Sequence, residues 1–150
     1  MTRVGIVNYI NSRPLSRGLV RSGQERGFVC ESLPPAVIAD RLAAGTLDAG
    51  LVPSLEPVFR AAKANIDEML AAADAALIIG DPALTVPRER YVVLDLAGEW
   101  LEMTGLPFVF AVWAVRDEVA TADLVGSFTA SLETGLAELD AIVTETAAET

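Results

Sequence analysis

The sequence contains no histidine and a single cysteine, Cys30. The first absence removes the Ser-His-Asp arrangement and most zinc sites, which depend on imidazole. The second excludes an intrachain disulfide and a thiolate metal cluster. Cys30 lies in the apolar stretch Phe28-Val29-Cys30, where it is either a buried structural thiol or a nucleophile with no histidine to activate it. No apolar run is long enough to span a bilayer. The first residues, Met1 to Asn8, lack the apolar core of a secretory signal, so the expected location is cytoplasmic. Basic surface is scarce as well. A formal net charge of −10 argues against nucleic acid and anionic membranes as partners. Any anionic ligand would have to be held by local donors, such as helix N-termini or a few arginines.

What remains is a globular composition, 52% hydrophobic and 21% charged over 150 residues, enough for one domain with a real core. Residues 4–9 form a short β-prone run, and Pro14 sits in the first turn of a helix reaching Leu19 and Val20. Gly23 and Gly27 break that helix before a second strand at 28–33. Pro35 opens a second helix with Ile38, Ala39, Leu42 and Ala43 on one face, closed by Gly45. A third strand at 49–52 ends at Pro53. This order predicts an α/β domain with a mainly parallel sheet flanked by helices.

Residues 55–73 are helix-prone, with Pro57 and Asn65 marking a kink or a division into two helices. Strands are expected at 75–79 and 91–96, with a short helix through Trp100 and Met103 closed by Gly105. The almost wholly apolar run 108–115 reads as a strand buried on both faces of the same sheet. The run at 75–79 should join that sheet too, since so apolar a strand cannot stay in water. If it is exposed and unpaired, a swapped dimer becomes the better account. From Asp117 the chain is helical to its end. Val125, Phe128, Leu132, Leu136, Leu139 and Val143 form an apolar stripe that packs on the sheet or, alternatively, meets a partner. Glu145 and Glu149 belong to a solvated, fraying end. Residues 41–53 are echoed by 69–82, each a helix end, then Asp-Ala, an apolar strand and a proline-marked exit. Such an echo fits two similar lobes closing on a small ligand; the alternative is chance similarity of two corners.

In an open parallel sheet, ligands bind beyond the carboxyl ends of the strands. The first strand delivers Tyr9, Asn11, Ser12 and Arg13 to that edge, just before a helix N-terminus. There, backbone N–H groups and the helix dipole favour a carboxylate, and Arg13 adds a bidentate contact. Asn11 or Ser12 could instead serve only as the helix cap. Ser54 reads first as an N-cap with Glu56 behind it, Asp81 as a turn former at a strand exit, and Thr104 as part of a tight connection. All three are weaker candidates for lining the same edge.

Four segments together resemble chorismate dehydratase of the futalosine route to menaquinone: residues 3–19, 33–56, 68–84 and 95–116. Most specific is Glu99-Trp100 followed by Thr104-Gly105-Leu106-Pro107-Phe108-Val109-Phe110-Ala111-Val112-Trp113-Ala114. The resemblance implies a lobe like those of the type II periplasmic binding proteins, with 1–60 and 91–150 first-lobe-like and 61–90 a remnant of the second lobe within one 1–150 domain. It implies a lyase that removes water from chorismate to give 3-[(1-carboxyvinyl)oxy]benzoate, with no metal or organic cofactor. Asn11, in Asn11-Ser12-Arg13-Pro14-Leu15, corresponds to the family's active-site asparagine. The family's long segment after the third strand, with its substrate-contacting serine loop, has no counterpart here, nor do its last helices. A homodimer would replace the missing wall. The alternative function is a non-catalytic ligand-binding or structural single-lobe domain, as a fragment, deletion variant or engineered form of that enzyme.

Overall fold

In a computed structural model, residues 1–54 and 65–149 are described. Strands β1 (Thr2–Ile6), β2 (Phe28–Ser32), β3 (Ala49–Pro53) and β4 (Ala111–Val115) form one open sheet in the order β2-β1-β3-β4. β1 runs parallel to both β2 and β3, whereas β4 is antiparallel to β3. The sheet is therefore mixed: three strands run parallel, as expected, and β4 alone is antiparallel. Helices α1 (Arg13–Ser22) and α2 (Pro35–Ala43) make the two expected crossovers, each with proline in its first turn. They are followed by α3 (Ile66–Ala72), α4 (Asp81–Leu84), α5 (Leu96–Thr104), α6 (Ala122–Ala137) and α7 (Leu139–Glu149). Among the described residues, no helix is long and apolar enough to cross a membrane.

Two apolar clusters lie on opposite faces of the sheet. Val4, Leu19, Phe28, Ala49, Leu124 and Phe128 form the larger, with Cys30 packed against it. Burial pushes the Cys30 thiol up, in keeping with the structural reading. Val7, Ile38 and Leu47 form the other, where α2 lies so close that a Cβ on Gly50 would meet Ile38 Cγ2 at 2.3 Å. β1 and β3 are pinned at one end by Asp48. Its carboxylate accepts from the Arg3 amide at 2.8 Å, Arg3 Nε at 3.0 Å and Arg3 Nη2 at 2.7 Å.

The C-terminal helical region departs from the predicted stripe. It divides at Glu138, and Val125, Leu136, Leu139 and Val143 are exposed. The buried seam is Leu124, Phe128, Ser131 and Gly135 on α6, at spacings of three and four, with Ile142 on α7. Small residues make it work. A Cβ on Gly135 would lie 2.0 Å from the Pro14 carbonyl oxygen, and one on Gly18 would lie 2.7 Å from Ser131 Cα. So α6 packs backbone-close on α1, while Phe128 reaches the sheet and stacks on Trp113 at 4.5 Å. The acidic end is exposed, as expected, but it is also ion-paired. Glu149 pairs with Arg13, Glu145 with Arg17, and Glu138 with both Arg17 and Arg21.

Three further expectations are corrected. The run 108–115 is not buried on both faces: only Ala111–Val115 is strand, at the sheet edge, and Val109 and Phe110 are exposed. Residues 75–79 and 91–96 form no strand, with Val92 94% exposed. Their apolar character had marked them as strands, but neither finds a neighbouring ladder. The echo of 41–53 in 69–82 is consequently not kept, because only the first copy has its strand. The predicted helix at 55–73 falls partly outside the described residues. Its described part, α3, is preceded by Asn65, whose side chain caps it by accepting from the Asp67 and Glu68 amides.

Candidate functional site

The chain leaves β1 at Ile6 and turns through a 3-10 segment, Ile10–Ser12, directly into α1. Ser12 is buried, and its hydroxyl is shared between the carbonyls of Val7 and Tyr9. It makes no cap hydrogen bond to α1. Its two hydrogen bonds clasp the β1–α1 corner. Asn11, one residue earlier, is exposed on the outside of the corner.

A carboxylate already sits at this corner. The Ile10 amide donates to Asp81 Oδ1 at 3.1 Å, and a Cβ on Gly80 would fall 3.0 Å from the Tyr9 ring. Gly80 has φ +74°, a left-handed conformation that lets the chain swing back over Tyr9 and start α4 with Asp81. Asp81 is thus more than a turn former: it brings the 80–84 segment onto the corner. Tyr9 and the Gly80–Asp81 segment thus meet at this corner, next to Asn11 in the sequence.

Arg13 points elsewhere. Its guanidinium donates to Thr146 Oγ1 at 2.9 Å and Glu149 Oε2 at 2.6 Å, and the hydrogen bond to Glu149 raises its pKa. A cavity of about 320 Å³ lies beside it at the carboxyl ends of β1 and β2, lined by Asn8, Ser16, Arg17 and Ser32 among others. Arg13 Nε is buried there without a hydrogen-bond partner. Arg17, Glu145 and Glu149 also line this cavity, a cluster that sequence reading missed because its members lie far apart in the chain. Its signal was the repeat Arg13, Arg17, Arg21 on one face of a helix.

Ser54 and Thr104 are taken up locally. The Ser54 hydroxyl donates to the Val109 carbonyl at 2.6 Å and so ties β3 to the approach to β4. The helix that Ser54 was expected to cap, with Glu56, lies outside the described residues. Thr104 donates to the Trp100 carbonyl at 2.7 Å and accepts from the Leu106 amide at 3.1 Å, closing α5.

The sequence model of a family described as menaquinone biosynthesis matches residues 54–150. Chorismate dehydratase of Thermus thermophilus is 40% identical over 68 residues, covering 34% of this chain and 25% of that relative. The matched stretch thus spans a quarter of the curated relative's length. The β1–α1 corner and Asn11 precede the residues matched by the family model.

Proposed function

Because the chain belongs to the menaquinone-biosynthesis family, we propose that it binds chorismate, or a small carboxylate much like it, at the β1–α1 corner. The observation that carries this reading is the Ile10 amide held by a carboxylate next to an exposed asparagine. A backbone N–H at the mouth of a helix is a natural anion donor. A substrate carboxylate would take the place of Asp81, with the Asn11 amide donating to the same carboxylate or to the ring hydroxyl. The reaction, by this reading, is the loss of that hydroxyl and a ring proton as water, giving 3-[(1-carboxyvinyl)oxy]benzoate. The substrate's own enolpyruvyl carboxylate takes the ring proton, so the absence of histidine is no obstacle. Asn11 stabilises the departing oxygen by hydrogen bonding. Cytoplasmic residence belongs to the same proposal.

One observation favours a second reading, a ligand-binding domain without turnover. The corner is open: Asn11 is exposed to solvent. Closure around substrate supplies much of the positioning in such reactions. Incubating the purified protein with chorismate and following the aromatic product by absorbance separates the two. Product that is lost in Asn11→Ala supports the lyase. Binding without product supports the second reading, and neither binding nor product overturns both.

A further inference from the structure

Arg13, Arg17 and Arg21 stand four residues apart on α1 and face the acids of the C-terminal helices. The Arg17 fork is filled. Its Nε donates to Glu138 Oε2 at 2.8 Å, and Nη1 and Nη2 donate to the two oxygens of Glu145 at 2.7 and 2.8 Å. Arg13 is held differently. Its Nη1 donates to the Thr146 hydroxyl, and Nη2 donates to a single oxygen of Glu149. The Nε–H is buried and donates to nothing among the described residues. Nε and Nη2 form the side of a guanidinium that a carboxylate grips with both oxygens. On Arg13 that side is half used, and a donor of a charged group left unpaired away from water is costly.

Arg13 and Glu149 both line the cavity of about 320 Å³ at the carboxyl ends of β1 and β2. That volume is at the lower end of the range for small-molecule sites. Ile6, Val7, Val20 and Ile142 give the cavity apolar walls. Asn8 and Ser32, both exposed, add an amide and a hydroxyl. Apolar walls around a few placed polar groups and a guanidinium suit a molecule with an apolar body and one anionic end. Inorganic phosphate or sulfate would meet Arg13 but leave those walls bare.

We propose that this cavity binds a small carboxylate with an apolar body, whose two oxygens take Nε and Nη2 of Arg13 in place of Glu149. Glu149 yields because its side chain is 60% exposed and regains water on letting go, and a surface pair of this kind contributes little. It also offers Arg13 only one oxygen, whereas a free carboxylate closes both prongs. Thr146 keeps its hold on Nη1, so the guanidinium stays oriented while the carboxylates exchange. The site is separate from the β1–α1 corner, since neither Ile10 nor Asn11 lines the cavity. The inference therefore stands independently of the ligand proposed there.

Benzoate is the probe, titrated into the chain by calorimetry while NMR follows the Arg13 Nε–H resonance. Saturable binding is expected, with that resonance moving as the site fills. Arg13→Lys keeps the charge and loses the fork, and should weaken binding about tenfold or more. Glu149→Gln removes the competing carboxylate and should tighten binding several-fold. Inorganic phosphate should bind more weakly than benzoate. If circular dichroism shows that Arg13→Lys has unfolded, Glu149→Gln and the Nε–H resonance give the decision. No saturable binding at millimolar benzoate overturns the proposal, as does affinity unchanged in folded Arg13→Lys or in Glu149→Gln. Phosphate binding as tightly as benzoate overturns the apolar body. Binding lost in Asn11→Ala but kept in Arg13→Lys puts the carboxylate at the β1–α1 corner and overturns the separate site.

Discussion

Replacing Asp48 with asparagine removes the charge that ties the start of β3 to β1 while keeping the side chain's shape. The carboxylate is buried at 8% exposure and takes three donors from Arg3. Those hydrogen bonds, led by the side-chain bond from Arg3, hold its pKa down at about 2 from 3.8. A depression of that size corresponds to at most about 2.4 kcal/mol of stability at neutral pH. The Arg3 side chain is 42% exposed, so solvent screening reduces this to about 1–1.5 kcal/mol. The sign follows from the depressed value: the contribution is complete above the unfolded-state pKa and vanishes as pH falls through the folded one. Urea denaturation of wild type and Asp48→Asn should therefore differ by about 1–1.5 kcal/mol at pH 6 to 7. That gap should close between pH 4 and 2. A gap that persists unchanged at pH 2.5, or is absent at pH 7, refutes the reasoning.

Gly135→Ala should destabilise the protein by about 2 kcal/mol. The helix-propensity gain of about 1 kcal/mol is outweighed by a Cβ placed 2.0 Å from the Pro14 carbonyl oxygen; a raised melting temperature would contradict the close α1–α6 approach. Ser131→Ala should lose about 1–2 kcal/mol in urea titrations, because its hydroxyl donates to the Leu15 carbonyl and accepts from the Leu19 amide in a buried seam. No change would mean that α1 satisfies both groups within its own ladder. An Arg17–Glu145 double-mutant cycle should return only a small coupling that shrinks further with added salt, because Glu145 is 52% exposed.

The first third of the fold was legible because its signals are local. Pro14 and Pro35 sit in first helical turns, Gly45 ends α2, and three apolar runs become β1, β2 and β3. Beyond that, local pattern misleads. Nothing in residues 111–115 encodes direction, so the antiparallel course of β4 at the sheet edge was not legible. The apolar runs at 75–79 and 91–96 have strand composition but no ladder to join, and composition supplies no partner. On α6, counting large apolar residues selected Val125 and Leu136, whereas the buried face is carried by Ser131 and Gly135. A search for small residues at the same spacing, facing Gly18, would have found it. At the site, the β1–α1 corner was readable from strand–turn–helix order, and Asn11 stands there. The partners of Arg13 and Ser12 depended on α7 and on the path of the 7–9 loop, and neither is written near them in sequence.

The central claim is that the β1–α1 corner receives a small carboxylate through Asn11 and the neighbouring amide. Calorimetric titration of chorismate into the wild type and Asn11→Ala tests it most directly. Saturable binding to the wild type is expected, weakened by about 1–3 kcal/mol in the variant with its circular dichroism unchanged. Equal affinity in two folded proteins, or no binding to the wild type, would contradict it.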